Sequence, residues 1–182
     1  MTVKRKIILK KISFFVLLFC LLGVIGAIFF FSSQSGSQSV ALSDKVALFL
    51  FGIFKIQVPS GKSPSQIPFL WGLTVRKCAH IFFFLVLGFV SFFFYACIFH
   101  LNKNSSLADI LFVGLAAFAT CILCACVDEL HQSFVADRTA SLNDVGIDAM
   151  GLTCSTWICT IVIALIHSVK RAVYTKHHVA VS

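Results

Sequence analysis

Four short stretches at the ends of long apolar runs carry side chains able to do chemistry: Ser33-Gln34, Arg76-Lys77-x-x-His80, Asp128-Glu129-x-His131-Gln132, and Arg138-x-x-Ser141-x-x-Asp144-x-x-x-Asp148. Their side chains could do three kinds of chemistry. Arg76, Lys77 and Arg138 suit a phosphate or carboxylate, which arginine grips with two parallel hydrogen bonds. His80 or His131 could serve as nucleophile or acid/base, with Asp128 or Asp148 orienting the imidazole. A metal version would use Asp128, Glu129, His131 and Asp148, because mixed nitrogen and oxygen donors suit several divalent ions. The residues name no cofactor, and no metal is assigned from them.

Helical geometry tells which of these groups act together. At 3.6 residues per turn, Arg76 and His80 share a face, as do Asp128, His131 and Gln132, and Asp144 and Asp148. Four residues advance about 6 Å along the axis, so His80 and Asp148 lie deepest. A carboxylate within a membrane span is costly unless it faces a partner, so Asp148 is expected to point toward His80, Arg76 or Arg138. A purely structural account is also open. Ser141-x-x-Asp144 matches a capping box, and the three basic residues nearly balance Asp128, Glu129, Asp144 and Asp148, as helix-to-helix pairs would.

The elements that must position these groups are transmembrane helices. The 182 residues are 59% hydrophobic and 12% charged, against about a quarter charged in soluble domains, so a soluble surface of ordinary polarity is excluded. Four apolar runs approach the ~20 residues a bilayer core requires: 12–31, 78–101, 110–127 with an extension through Gln132, and 149–169. The first also resembles a signal peptide, but its apolar stretch is longer than the usual 7–15 residues, so a retained helix is expected. Between the first two runs, 46–58 reads as a short interfacial or re-entrant helix with Ser43 as N-cap and Asp44 in its first turn. Pro59, Pro64 and Pro68 end it, and Trp71 suits the membrane interface. The expected fold is all-α, a single transmembrane domain over 1–182 with four spans plus that short helix.

Charge placement gives orientation. Lys4, Arg5, Lys6, Lys10, Lys11, Lys103, Lys170, Arg171 and Lys176 fall on the side of the termini, while Lys45, Lys55, Lys62, Arg76, Lys77 and Arg138 fall on the other. That excess points both termini to the cytoplasm of a bacterial cell and the polar stretches outward. The net charge of +8 thus flanks spans instead of lining a face for nucleic acid, which is not expected as a partner. The eight cysteines lie in or at the edges of apolar runs and read as packing residues, Cys121-x-x-Cys124-x-Cys126 included, since no second ligand pair accompanies it. Two expected spans start at the outer face, so their helix N-termini add positive potential beside the basic residues.

Together, Phe31-Ser-Ser-Gln34, Arg76-Lys77-x-Ala79-His80, Asp128-Glu129-x-His131-Gln132-x-Phe134 and Arg138-x-x-Ser141-x-x-Asp144-x-x-x-Asp148-x-x-Gly151 resemble the VanZ-like family of small bacterial membrane proteins. The resemblance runs from the first span into the fourth. It implies a cell-envelope protein, and some members lower susceptibility to glycopeptide antibiotics such as teicoplanin. The family pattern commonly places an acidic residue three positions after the histidine, followed by Tyr or Phe; here Phe83 and Phe84 stand there. His80 therefore lacks an intrahelical carboxylate partner. Three functions follow as expectations: an outer-face pocket binding an anionic lipid, a peptidoglycan precursor or a glycopeptide; an enzyme acting on a lipid phosphate or polar head group; or a small transporter or flippase coupling protons through Asp148 and His80. Membrane lipids are the expected partners, and the residues leave open both catalysis and oligomeric state.

Overall fold

The computed structural model describes residues 3–55, 61, 72–102 and 104–179. Five helices follow one another: α1 (Val3–Ser32), α2 (Gly36–Phe54), α3 (Gly72–Ile98), α4 (Leu107–Gln132) and α5 (Leu142–Val179). All five are long and apolar enough to cross a membrane, by length and composition, and no strand occurs among the described residues. The protein is an all-α, multi-pass integral membrane protein. Its helix surfaces agree with lipid as solvent: Phe19 is 80% exposed and Leu115 and Leu123 are each 65% exposed, positions that water would penalise.

The helices outrun the apolar stretches that define them. α3, α4 and α5 begin six, three and seven residues before the runs at 78, 110 and 149. α4 starts where Ser106 accepts a hydrogen bond from the Asp109 N–H (3.1 Å) and Asp109 accepts one from the Ser106 N–H (2.7 Å), a reciprocal cap that satisfies two orphan donors. The polar turns added to α3 and α5 carry Arg76, Lys77 and Asp144.

The largest departure from expectation is α2. It spans 19 residues from Gly36, so it is not short, and Ser43 and Asp44 lie in its interior instead of at its start. Its N-cap is Ser35, whose Oγ accepts from the Gln38 N–H (3.2 Å) while Gln38 Oε1 accepts from the Ser35 N–H (3.2 Å). That capping box sits within a Ser/Gln-rich stretch that composition reads as a linker. Lys55, in the left-handed region with φ 54°, ends the helix. Pro59, Lys62, Pro64, Pro68, Trp71 and Lys103 lie outside the described residues.

α1, α3, α4 and α5 alternate in direction. At one end the last turn of α1 meets the start of α3 (Phe31 and Phe83 rings 5.5 Å apart) and the end of α4 (Ser32 to Asp128, 2.9 Å), while the start of α3 meets that of α5 (His80 to Asp148, 3.3 Å). At the opposite end Phe14 of α1 stacks on Phe94 of α3 at 5.6 Å, and Phe99 after α3 meets Phe112 of α4 at 5.0 Å. The Gly36 N–H donates to Ala136 O (3.1 Å), so α2 departs from the same end at which α3 begins. The excursion from Gly36 to Gly72 thus leaves the alternation of the other four helices unchanged.

A core of Leu21, Ile28, Phe84, Leu87, Cys121, Ala125 and Leu152 joins those four helices. Without a hydrophobic driving force between spans in lipid, close backbone approach matters more. Gly151 supplies it: a Cβ there would strike Ile81 O and the backbone N of Leu85, so only glycine lets α5 lie this close to α3 beside the polar end.

Candidate functional site

The polar end is assembled from four helix termini and one loop. α1 contributes Ser32 and Ser33 from its last turn, α3 Arg76, Lys77 and His80, α4 Asp128 through Gln132, the connection to α5 Arg138, and α5 Asp144 and Asp148.

Asp128 is fully buried. Its Oδ2 accepts from Ser32 Oγ (2.9 Å) and Gln132 Nε2 (2.8 Å), and Gln132 Oε1 accepts from Arg138 Nη1 (2.7 Å). The amide orientation follows from the partners, because guanidinium only donates and carboxylate only accepts. Arg138 also reaches Phe31 O through Nη2 at 3.5 Å, and its Nε is buried with no hydrogen-bond partner. Gln132 therefore relays between a cation and a buried anion that do not pair directly. Burial, then the nearby Arg76, pulls the Arg138 guanidinium below its ordinary pKa, with Asp128 and Glu129 opposing; it stays a cation throughout.

Asp148 is 1% exposed and does point inward. Of the three partners the sequence allows it takes His80, with Nδ1 to Oδ1 at 3.3 Å. The carboxylate that α3 lacks at Phe83 is thus supplied from α5. Phe83 packs on the core and meets the Phe31 ring at a tilt of 35°.

Two expected groupings separate. Glu129 turns away from Asp128 and accepts the Ser141 N–H at 2.5 Å. His131 faces Ser33, with Nε2 to Oγ at 3.0 Å, against the Phe29 ring. Ser33 donates its single proton to Phe29 O (2.7 Å), so His131 Nε2 carries the hydrogen toward Ser33. Asp128, Glu129, His131 and Asp148 therefore do not converge as a metal set; His80, Asp128 and Asp148 do, with one ligand atom each within 4.8 Å of the others. The capping box at Ser141 is also altered. Ser141 Oγ accepts from the Asn143 N–H (3.2 Å), its own N–H is taken by Glu129 from another helix, and Asp144 instead approaches Lys77 at 3.9 Å across an exposed pair.

Ser32 is the member that sequence reasoning passed over in favour of Ser33 and Gln34. Its signal was spacing: position 32 continues the buried face of Leu21 and Ile28 at helical intervals of seven and four, whereas Ser33 is exposed.

Two cavities share a wall. A polar one of about 370 Å³ is lined by Arg76, Lys77, His80, Gln132, Asp137, Arg138, Asn143, Asp144 and Asp148 among others. An apolar one of about 330 Å³ is lined chiefly by Ile28, Phe31, Leu42, Val46, Val75, Ala79 and Phe83, with Ser32, Gln34, Ser39 and Ser43 at its polar edge. Arg76, His80 and Arg138 border both. Among the described residues the only ion pairs are Lys77 with Asp144 and His80 with Asp148, so the expected pairing of Arg76 and Arg138 with carboxylates does not form.

The family model described as VanZ/LLP1 matches residues 14–164, a stretch that contains every residue of the polar end. No curated protein and no solved structure matches the chain.

Proposed function

The chain belongs to the VanZ/LLP1 family, and we propose that within this membrane protein the paired cavities bind an anionic amphiphile of the cell envelope, a lipid or lipid-linked wall precursor. The observation that carries the reading is the shared wall: Arg76 and Arg138, neither of them in an ion pair, face a polar cavity on one side and an apolar cavity on the other. A phosphate or carboxylate head group would satisfy the guanidinium groups, including the unpartnered Arg138 Nε. An acyl or prenyl chain would lie along Val46, Val75 and Phe83. The N-terminal turns of α3 and α5 add positive potential at the same place. In the bacterial plasma membrane the polar end would face outward and both termini the cytoplasm, following the excess of basic residues at the termini. Altered glycopeptide susceptibility would then follow from capture of a precursor or of the drug itself.

Native mass spectrometry of the detergent-extracted protein tests this. The wild type should retain an anionic lipid, and Arg138→Ala should weaken retention about 10- to 150-fold, the equivalent of roughly 1.5–3 kcal/mol for a hydrogen bond to a charged group. Equal retention by wild type, Arg76→Ala and Arg138→Ala would sink the reading, as would unchanged antibiotic susceptibility in a strain that depends on the protein.

A second reading, catalysis on a lipid phosphate, has one observation in its favour: the His80 and Asp148 pair lines the polar cavity, placing an acid/base group with an orienting carboxylate beside the phosphate-binding arginines. Phosphate release from a polyprenyl or phosphatidyl phosphate, lost in His80→Ala, would support it; no release by purified protein would end it.

A further inference from the structure

We infer that His80, Asp128 and Asp148 form the binding site of one divalent first-row transition-metal ion, set into the inner wall of the polar cavity. The three come from α3, α4 and α5, and each brings one ligand atom within 4.8 Å of the other two. Two ligands on opposite sides of an ion bound at about 2.1 Å lie about 4.2 Å apart, so side-chain rotations of a fraction of an ångström close the set. The His80 Nδ1 to Asp148 Oδ1 separation of 3.3 Å already lies between the roughly 3.0 and 3.4 Å expected for neighbouring ligands at right-angled and tetrahedral positions around such a bond length.

Proximity of acids alone would mean little. The second observation is the unspent acceptors: Asp128 and Asp148 are 0% and 1% exposed, yet Asp128 Oδ1 and Asp148 Oδ2 have no hydrogen-bond partner. Buried acceptors are rarely left so, because each forfeits its hydration without a replacement, and a charged one forfeits most. Charge points the same way. Two carboxylates here face His80, which can neutralise one of them at most, and Arg138 reaches Asp128 only through Gln132, without an ion pair to either carboxylate. A divalent cation beside a neutral imidazole balances both carboxylates. The supporting bonds also match a metal site, in which a ligating carboxylate is itself held by hydrogen bonds: Ser32 and Gln132 occupy Asp128 Oδ2 and leave Oδ1 free. One imidazole with two carboxylates suits Mn²⁺ or Zn²⁺ better than a soft thiophilic ion.

The site does not depend on the amphiphile proposed above, and the two are tested apart. Metal-stripped protein in detergent, without added lipid, is titrated with Mn²⁺ alone and with Zn²⁺ alone by calorimetry, and the Mn²⁺ form is examined by pulsed electron paramagnetic resonance for ¹⁴N coupling. One equivalent per chain with a histidine nitrogen signal is expected. Asp148→Asn and His80→Ala should weaken binding by more than the about 10–100-fold that loss of a supporting hydrogen bond costs at metal sites, while His131→Ala should bind as the wild type does. No binding of either ion, binding without the nitrogen signal, or equal affinity in the ligand variants and the wild type would overturn the site. Because the nitrogen signal is read on the wild type, failure of a variant to fold leaves the test intact. Protein that binds Mn²⁺ but retains no anionic lipid would uphold the metal site and remove the amphiphile.

Discussion

At the scale of single residues, the polar end depends on who serves the Asp128 carboxylate. Ser32 and Gln132 both donate to Oδ2, and removing one donor from a buried acceptor costs about 1–3 kcal/mol. Ser32→Ala should therefore lower the thermal unfolding midpoint of the detergent-solubilised protein measurably. The adjacent Ser33→Ala, on an exposed side chain, should fall within about 0.5 kcal/mol of the wild type. Equal effects of the two would show that the buried network contributes nothing. Phe83 belongs to the same scale: in place of an acid it gives the apolar cavity an aromatic wall, and His80 finds its carboxylate on α5.

At the scale of elements, helix ends do the positioning. The N-terminus of α5 is capped partly from α4, through Glu129 on the Ser141 N–H, which ties two helices at the point where Asp144 and Asp148 enter. Close approach of α3 and α5 rests on Gly151. Gly151→Val should destabilise the bundle by about 1–3 kcal/mol, the usual cost of overpacking, and should also perturb the His80 to Asp148 contact one turn away, read as loss of bound Mn²⁺. The α2 cap is separable: Ser35→Ala should cost about 0.5–2 kcal/mol, seen as faster hydrogen exchange in the first turn of α2 and not in α3 or α5.

At the scale of the whole molecule, the alternation of α1, α3, α4 and α5 gathers every proposed ligand residue at one end and gathers Lys10, Lys11, His100 and Asn102 at the other, around a separate cavity. In a background lacking the native cysteines, single cysteines at positions 76, 77 and 138 should react with a membrane-impermeant thiol reagent from one side only, and those at 10 and 102 from the other. Reactivity of 76 and 138 from opposite sides would dissolve the site altogether. α2, leaving from the polar end beside Ala136 and Asp137, is the element through which the apolar cavity gains Leu42 and Val46.

Spans, their alternation and the gathering of Arg76, His80, Asp128, Arg138 and Asp148 at one end were legible in the chain itself, because lipid imposes a minimum apolar length on each helix and that demand is local. α2 was not, since Ser, Gln and Gly conceal a helix whose start depends on a two-residue cap. Partner choice was not legible either. Neighbouring residues on a helix point about 100° apart, so whether Ser32 or Ser33 meets Asp128, and whether His80, Arg76 or Arg138 stands beside Asp148, depends on how each helix is rotated against its neighbours. That rotation is set by packing contacts such as Gly151 on Ile81, between residues seventy positions apart, and only the folded bundle decides it.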